Sequence, residues 1–84
     1  MRVTVRLFAR LRESAGVGEC DSTMAPGASV DDVWRSMVAR YPSLAPFTGV
    51  ISCAVNAEFA KFDAPVREGD EVAFLPPVSG GAAT

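Results

Sequence analysis

One stripe of apolar residues restricts the architectures open to this chain more than any other feature. Val30, Val33, Trp34, Met37, Val38 and Tyr41 recur at i, i+3, i+4, i+7, i+8 and i+11, which sets them along one face of a three-turn helix. Ser29 precedes the stripe as an N-cap, and Asp32 comes three residues on, where a carboxylate favours the positive end of the helix dipole. Asp is one methylene shorter than the Glu of a standard capping box. Pro42 stops the helix. Trp34 and Met37 sit within the stripe and read as core side chains, not as contacts to a cofactor. A helix with one apolar face has to bury it against something, and the remainder of the pattern supplies mostly strands.

Val3, Val5 and Leu7 alternate with Arg2, Thr4 and Arg6, the period of a half-buried strand. Ala9 to Ala15 reads as a helical turn or two, ended by Gly16. A weaker strand runs from about Glu19 to Met24, with Cys20, Ser22 and Met24 on one side, and Pro26-Gly27 marks a turn. Beyond the main helix, Ser43 to Gly49 reads as loop with Leu44 and Phe47 tucked beneath it. The near-continuous apolar run Val50 to Val55 is of strand length and fits a central strand. Asn56-Ala57 begins a turn, and Glu58 to Phe62 gives a short edge strand. After the turn-forming stretches Asp63-Ala64-Pro65 and Glu68-Gly69-Asp70, Glu71 to Leu75 forms the last strand, with Val72 and Phe74 on one face and Ala73 and Leu75 on the other. Pro76-Pro77 cannot donate to a ladder, so the sheet ends there. The expected fold is α+β: a mixed sheet of four or five strands with one main helix across a face, the β-grasp or ubiquitin-like roll. Residues 1–77 would form this domain, and 78–84 a C-terminal tail. Eighty-four residues suffice for one small domain.

Composition removes several classes of function. A net charge of −2 argues against a nucleic-acid partner, which needs a concentrated basic face. Arginines do gather early (Arg2, Arg6, Arg10 and Arg12). Arg2 and Arg6 share the outer face of the first strand, ordinarily a solvated face, and a specific basic docking role is the lesser reading. The chain has no histidine, so Cys20 and Cys53 have no Cys/His partner and no usual zinc ligand set. Two distant cysteines also fall short of an iron–sulfur ligand set. Both are expected to be structural. No apolar run is long enough to span a membrane, no signal peptide is visible at the start, and the expected location is cytoplasmic.

The tail reads Val78-Ser79-Gly80-Gly81-Ala82-Ala83-Thr84. By composition alone it is a frayed terminus. A Gly-Gly pair after a rigid Pro-Pro step, however, makes a thin, extendable finger. From Phe74 to Gly81 it reaches roughly 23 Å when extended, and without Cβ atoms it can thread a narrow channel. A carboxylate at its tip could be adenylated and converted to a thiocarboxylate. The stretch Gly69-Asp70-Glu71-Val72-Ala73-Phe74-Leu75-Pro76-Pro77-Val78-Ser79-Gly80-Gly81 closely resembles the C-terminal pattern of the small subunits of molybdopterin synthase. Val5 through Gly16, with Leu7-Phe8-Ala9 and Arg12-Glu13, resembles the opening pattern of the same family.

The resemblance implies a sulfur carrier without catalytic groups of its own, binding no cofactor. An ATP-dependent activating enzyme would adenylate the carboxylate of Gly81, and a sulfur donor would convert it to a thiocarboxylate. The tail (Val78, Ser79, Gly80 and Gly81) would then enter the large synthase subunit, where sulfur passes to a cyclic pterin precursor. An apolar face near the tail would dock both protein partners in turn. Phe8, Phe59, Leu75, Pro76 and Pro77 are the candidates, expected to project from the sheet side that the helix leaves bare. For Phe59 and Leu75 the alternative is satellite core. One departure matters: the family ends at the second glycine, whereas Ala82-Ala83-Thr84 come after it here. Either a peptidase trims them, or the chain is a piece of a fusion to the large subunit, or they are an artificial extension. The alternatives to this carrier are another ubiquitin-like one of thiamin type, a lysine-conjugating modifier, or an interaction domain whose diglycine is incidental.

Overall fold

The computed structural model describes residues 1–77. The elements run β1 (Arg2–Leu7), α1 (Ala9–Ala15), β2 (Glu19–Thr23), α2 (Val30–Arg40), a 3₁₀ helix (Pro42–Phe47), β3 (Ser52–Val55), β4 (Glu58–Ala60) and β5 (Glu71–Leu75). The strands form one sheet in the order β2-β1-β5-β3-β4. β1 pairs antiparallel with β2 and parallel with β5, and β3 pairs antiparallel with both β5 and β4. With α2 across one face of this mixed sheet, the architecture is the β-grasp roll.

The start of α2 is held on every count a helix end requires. Four N–H groups at a helix N-terminus lack intrahelical acceptors, and here each has one. Ser29 N–H donates to Asp32 Oδ2 at 2.9 Å, while Asp32 N–H donates to Ser29 Oγ at 3.2 Å, a reciprocal capping box despite the shorter acid. Val30 N–H donates to the Ala64 carbonyl at 2.9 Å and Asp31 N–H to the Phe62 carbonyl at 2.8 Å. The helix is thereby tied to the segment between β4 and β5, which fixes its position over the sheet.

The core lies between that helix and the inner sheet face. Val3, Val5 and Leu7 of β1, Val30, Val33, Trp34 and Met37 of α2, Cys53 of β3, and Val72 and Phe74 of β5 are all buried. Leu11, Leu44 and Val66 close its edges. The Trp34 and Phe74 rings meet edge-on with centroids 5.0 Å apart, and Phe62 stacks on Phe74 at 6.2 Å. Trp34 Nε1–H is satisfied by Thr48 Oγ1 at 3.0 Å.

Several expectations from sequence are corrected. The loop expected at 43–49 is mostly a 3₁₀ helix. Pro42 lies just past the end of α2, as expected of a stop, and stands at the first turn of the 3₁₀ helix, where a missing N–H costs nothing, with Leu44 buried beneath it as expected. Tyr41 caps α2 instead of extending it. The strand expected from Val50 starts at Ser52, because Val50 N–H is used by the Phe47 carbonyl in the turn that closes the 3₁₀ helix, leaving Val50 55% exposed. That strand is flanked on both sides, but the middle of the sheet is β5. The edge strand expected to reach Phe62 ends at Ala60, since the Phe62 carbonyl serves α2.

Candidate docking face and the root of the tail

β5 is the last strand in the chain and the middle strand of the sheet, so the chain leaves the sheet from a strand paired on both sides. Its inner face carries Val72 and Phe74, both fully buried. Its ladder to β3 ends at the pair Ser52↔Leu75. Pro76, half-buried, and Pro77, exposed, then carry the chain out of the sheet without N–H groups that could re-enter it. Val78, Ser79, Gly80 and Gly81, expected as the working tail, lie outside the described residues, as do Ala82-Ala83-Thr84.

The outer face is fixed by register. Arg6 lies opposite Ala73, Ala73 opposite Ala54, and Ala54 opposite Phe59. Directly paired residues share a face, so these four form one row across β1, β5, β3 and β4, on the side away from α2. Leu75, two residues beyond Ala73, shares that face at the tail end and is half-buried. Phe59 is 80% exposed, which excludes the satellite-core reading. Phe8 is 38% exposed just past β1, its ring 5.7 Å from the Arg6 guanidinium. The face therefore brings Phe8, Leu75 and Phe59 to one side of the sheet, with Ala73 and Ala54 as a low floor between them. Sequence reasoning missed Ala54. Its only signal was cross-strand pairing, which alternation within a strand does not reveal.

Charge frames this strip. Arg6 pairs with Glu19 at 3.6 Å and Glu71 at 3.4 Å, all three well exposed. Such pairs contribute little stability in water. The two thiols lie elsewhere. Burial pushes the Cys53 thiol up, and it donates to the Ala60 carbonyl at 3.1 Å. Burial also outweighs the Arg40 charge in raising the Cys20 thiol, which contacts Met37 Sδ at 3.7 Å. Both shifts favour the inert thiol over the nucleophilic thiolate. Among the described residues no three His, Cys, Asp or Glu side chains come together as a metal site, and no helix is long and apolar enough to cross a membrane.

Phe8, Leu75 and Phe59 thus lie on the sheet face away from α2, with Leu75 at the end of β5 from which the chain continues. The ThiS family model matches residues 5–81, nearly the whole chain, and its match ends on Gly81. The chain belongs to the ThiS family. This ThiS-family chain is 37% identical over 81 residues to the molybdopterin synthase sulfur carrier subunit of Escherichia coli, covering 94% of this chain and 99% of that one. It is 35% identical to the subunit of the same name from Arabidopsis thaliana, over 96% of this chain and 84% of that one. Among solved structures it is similar to SAMP1 from Haloferax volcanii, with a TM-score of 0.87 at 30% identity, covering 96% of this chain and all of that one.

Proposed function

We propose that this chain is the sulfur carrier subunit of a molybdopterin synthase. The observation that carries the reading is the near full-length similarity to sulfur carrier subunits, combined with a family match that runs through Val78-Ser79-Gly80 and stops at Gly81. Once Ala82-Ala83-Thr84 are removed, the Gly81 carboxylate attacks the α-phosphate of ATP on an activating enzyme and becomes an acyl adenylate, with pyrophosphate leaving. A donor of sulfide-level sulfur then attacks the acyl carbon and AMP leaves, giving the Gly81 thiocarboxylate with no change of oxidation state. The large subunit receives the tail, and the sulfur passes to a cyclic pterin precursor bound there. This chain binds no cofactor, and ATP belongs to the activating enzyme.

The geometry supports that division of labour. β5 holds the root of the tail, Pro76-Pro77 direct it away from the sheet, and the strip of Phe8, Leu75 and Phe59 gives both partners the same apolar surface to grip. Apolar side chains clustered in the open normally mark an interface. Deleting Gly80 and Gly81 in the native cell is expected to abolish molybdopterin formation while the domain stays folded. Undiminished molybdopterin would make the diglycine incidental. The likeness to SAMP1, a small archaeal modifier protein by the name of a related structure, favours the modifier as second reading, which predicts a lysine-linked adduct of this chain in cell extract.

A further inference from the structure

A cleft of about 280 Å³ opens where β1 passes into α1, lined by Arg6, Leu7, Phe8, Arg12, Gly18 and Glu19. Its two arginines are held differently. Arg6 has Glu19 and Glu71 nearby at 3.6 and 3.4 Å, longer than a tight charge-assisted hydrogen bond of about 2.7–2.9 Å. Arg12 is exposed and makes no ion pair among the described residues, and its side chain passes over Gly18. A Cβ placed on Gly18 would lie 3.0 Å from Arg12 Nε, 3.2 Å from Cδ and 3.3 Å from Cζ. Gly18 is itself fixed, its carbonyl accepting Leu7 N–H at 2.9 Å. The missing side chain at position 18 therefore leaves room for the Arg12 side chain to lie along the cleft wall, where its guanidinium presents a planar fork of donors.

We propose that this cleft receives a carboxylate side chain of the large synthase subunit, a polar anchor beside the apolar strip; the proposal rests on the carrier reading given above. Three observations support it. The guanidinium fork of Arg12 matches a carboxylate in a two-bond geometry. Arg6 stands across the same cleft and can exchange a loose exposed pair for a partner's acid. Phe8 lines the cleft and also lies beneath the Arg6 guanidinium, so an acid bound there is continuous with apolar contacts to Phe8 and Leu75. The cleft sets two arginines against Glu19, and Arg12 is the one of the two that no acid pairs among the described residues, so a partner carboxylate bound to it would help set the register of docking.

Titration calorimetry of the chain ending at Gly81 with the large subunit, at low and high salt, tests the assignment. Arg12→Gln is expected to weaken binding about fivefold to tenfold at low salt and to flatten the salt dependence. Gly18→Ala keeps every charge but crowds the Arg12 side chain where it crosses position 18, and should weaken binding in the same direction with the melting temperature unchanged. Arg10→Gln, which removes an equal charge from α1 outside the cleft, should leave affinity within about twofold. Wild-type affinity in Arg12→Gln, or equal losses in Arg10→Gln and Arg12→Gln, would overturn the cleft while leaving the carrier reading intact. A wild-type chain that does not bind the large subunit would overturn both.

Discussion

Phe74 is where packing and function meet, and truncating it gives the sharpest forecast of stability. The residue is fully buried on the central strand, edge-on to Trp34 at 5.0 Å and stacked on Phe62 at 6.2 Å. Phe74→Ala removes a whole ring from a closed core, a change that costs about 3–5 kcal/mol because the cavity cannot fully collapse. A domain of 84 residues has about 4–13 kcal/mol of stability in total, at about 0.05–0.15 kcal/mol per residue, so this variant sits near the edge of folding. Phe74→Leu keeps much of the volume but loses both aromatic contacts and should cost about 1–2 kcal/mol. Trp34 is the chain's single tryptophan and reports on the site directly, so urea unfolding monitored by its fluorescence measures both variants. In a double-mutant cycle Phe74→Leu and Phe62→Leu should couple, because the rings touch. A loss below about 1 kcal/mol for Phe74→Ala would refute the reasoning, since a filled, rigid core cannot give up that ring so cheaply.

Other expectations concern single groups. Trp34→Ala should cost about 3–5 kcal/mol by the same cavity argument, and an unchanged melting curve would remove the α2 stripe from the core. Hydrogen bonds from the Ser29 N–H and then its hydroxyl lower the Asp32 pKa. Its contribution is therefore present above the ordinary carboxylate range and lost as pH falls through the depressed folded value. The stability advantage of wild type over Asp32→Asn should accordingly disappear in acid, whereas an advantage independent of pH would contradict the capping box. Phe59→Asp should leave stability within about 0.5 kcal/mol, as expected at an exposed site, while weakening binding to the large subunit. Unaltered affinity in a calorimetric titration would exclude Phe59 from the interface.

The sequence carried the parts of this fold that obey a local period. β1 shows in its alternation, α2 in its stripe and cap, and the end of α1 in Gly16, which takes φ 81° as only glycine does comfortably. Features set by distant backbone were less legible. Val50 belongs to an apolar run yet faces solvent, because a turn claims its N–H. Phe62 extends an apparent strand yet lies beyond its end, because its carbonyl is needed by α2. The place of β5 at the middle of the sheet comes from parallel pairing with β1, a contact between opposite ends of the chain. The candidate site divides in the same way. Phe59 and Phe8 could be named as docking residues from resemblance and from their apolar character. The row through Ala54 and Ala73 needed the register, and the approach of the Arg12 side chain to Gly18 needed coordinates.

Intact-mass measurement of the protein isolated from its own cell bears most directly on whether Gly81 carries sulfur. The expected result is a species that has lost Ala82-Ala83-Thr84 and, in a fraction of molecules, gained the mass of one oxygen exchanged for sulfur at Gly81. A protein that keeps all three residues in every molecule has no terminal glycine carboxylate to adenylate, and would contradict the carrier reading.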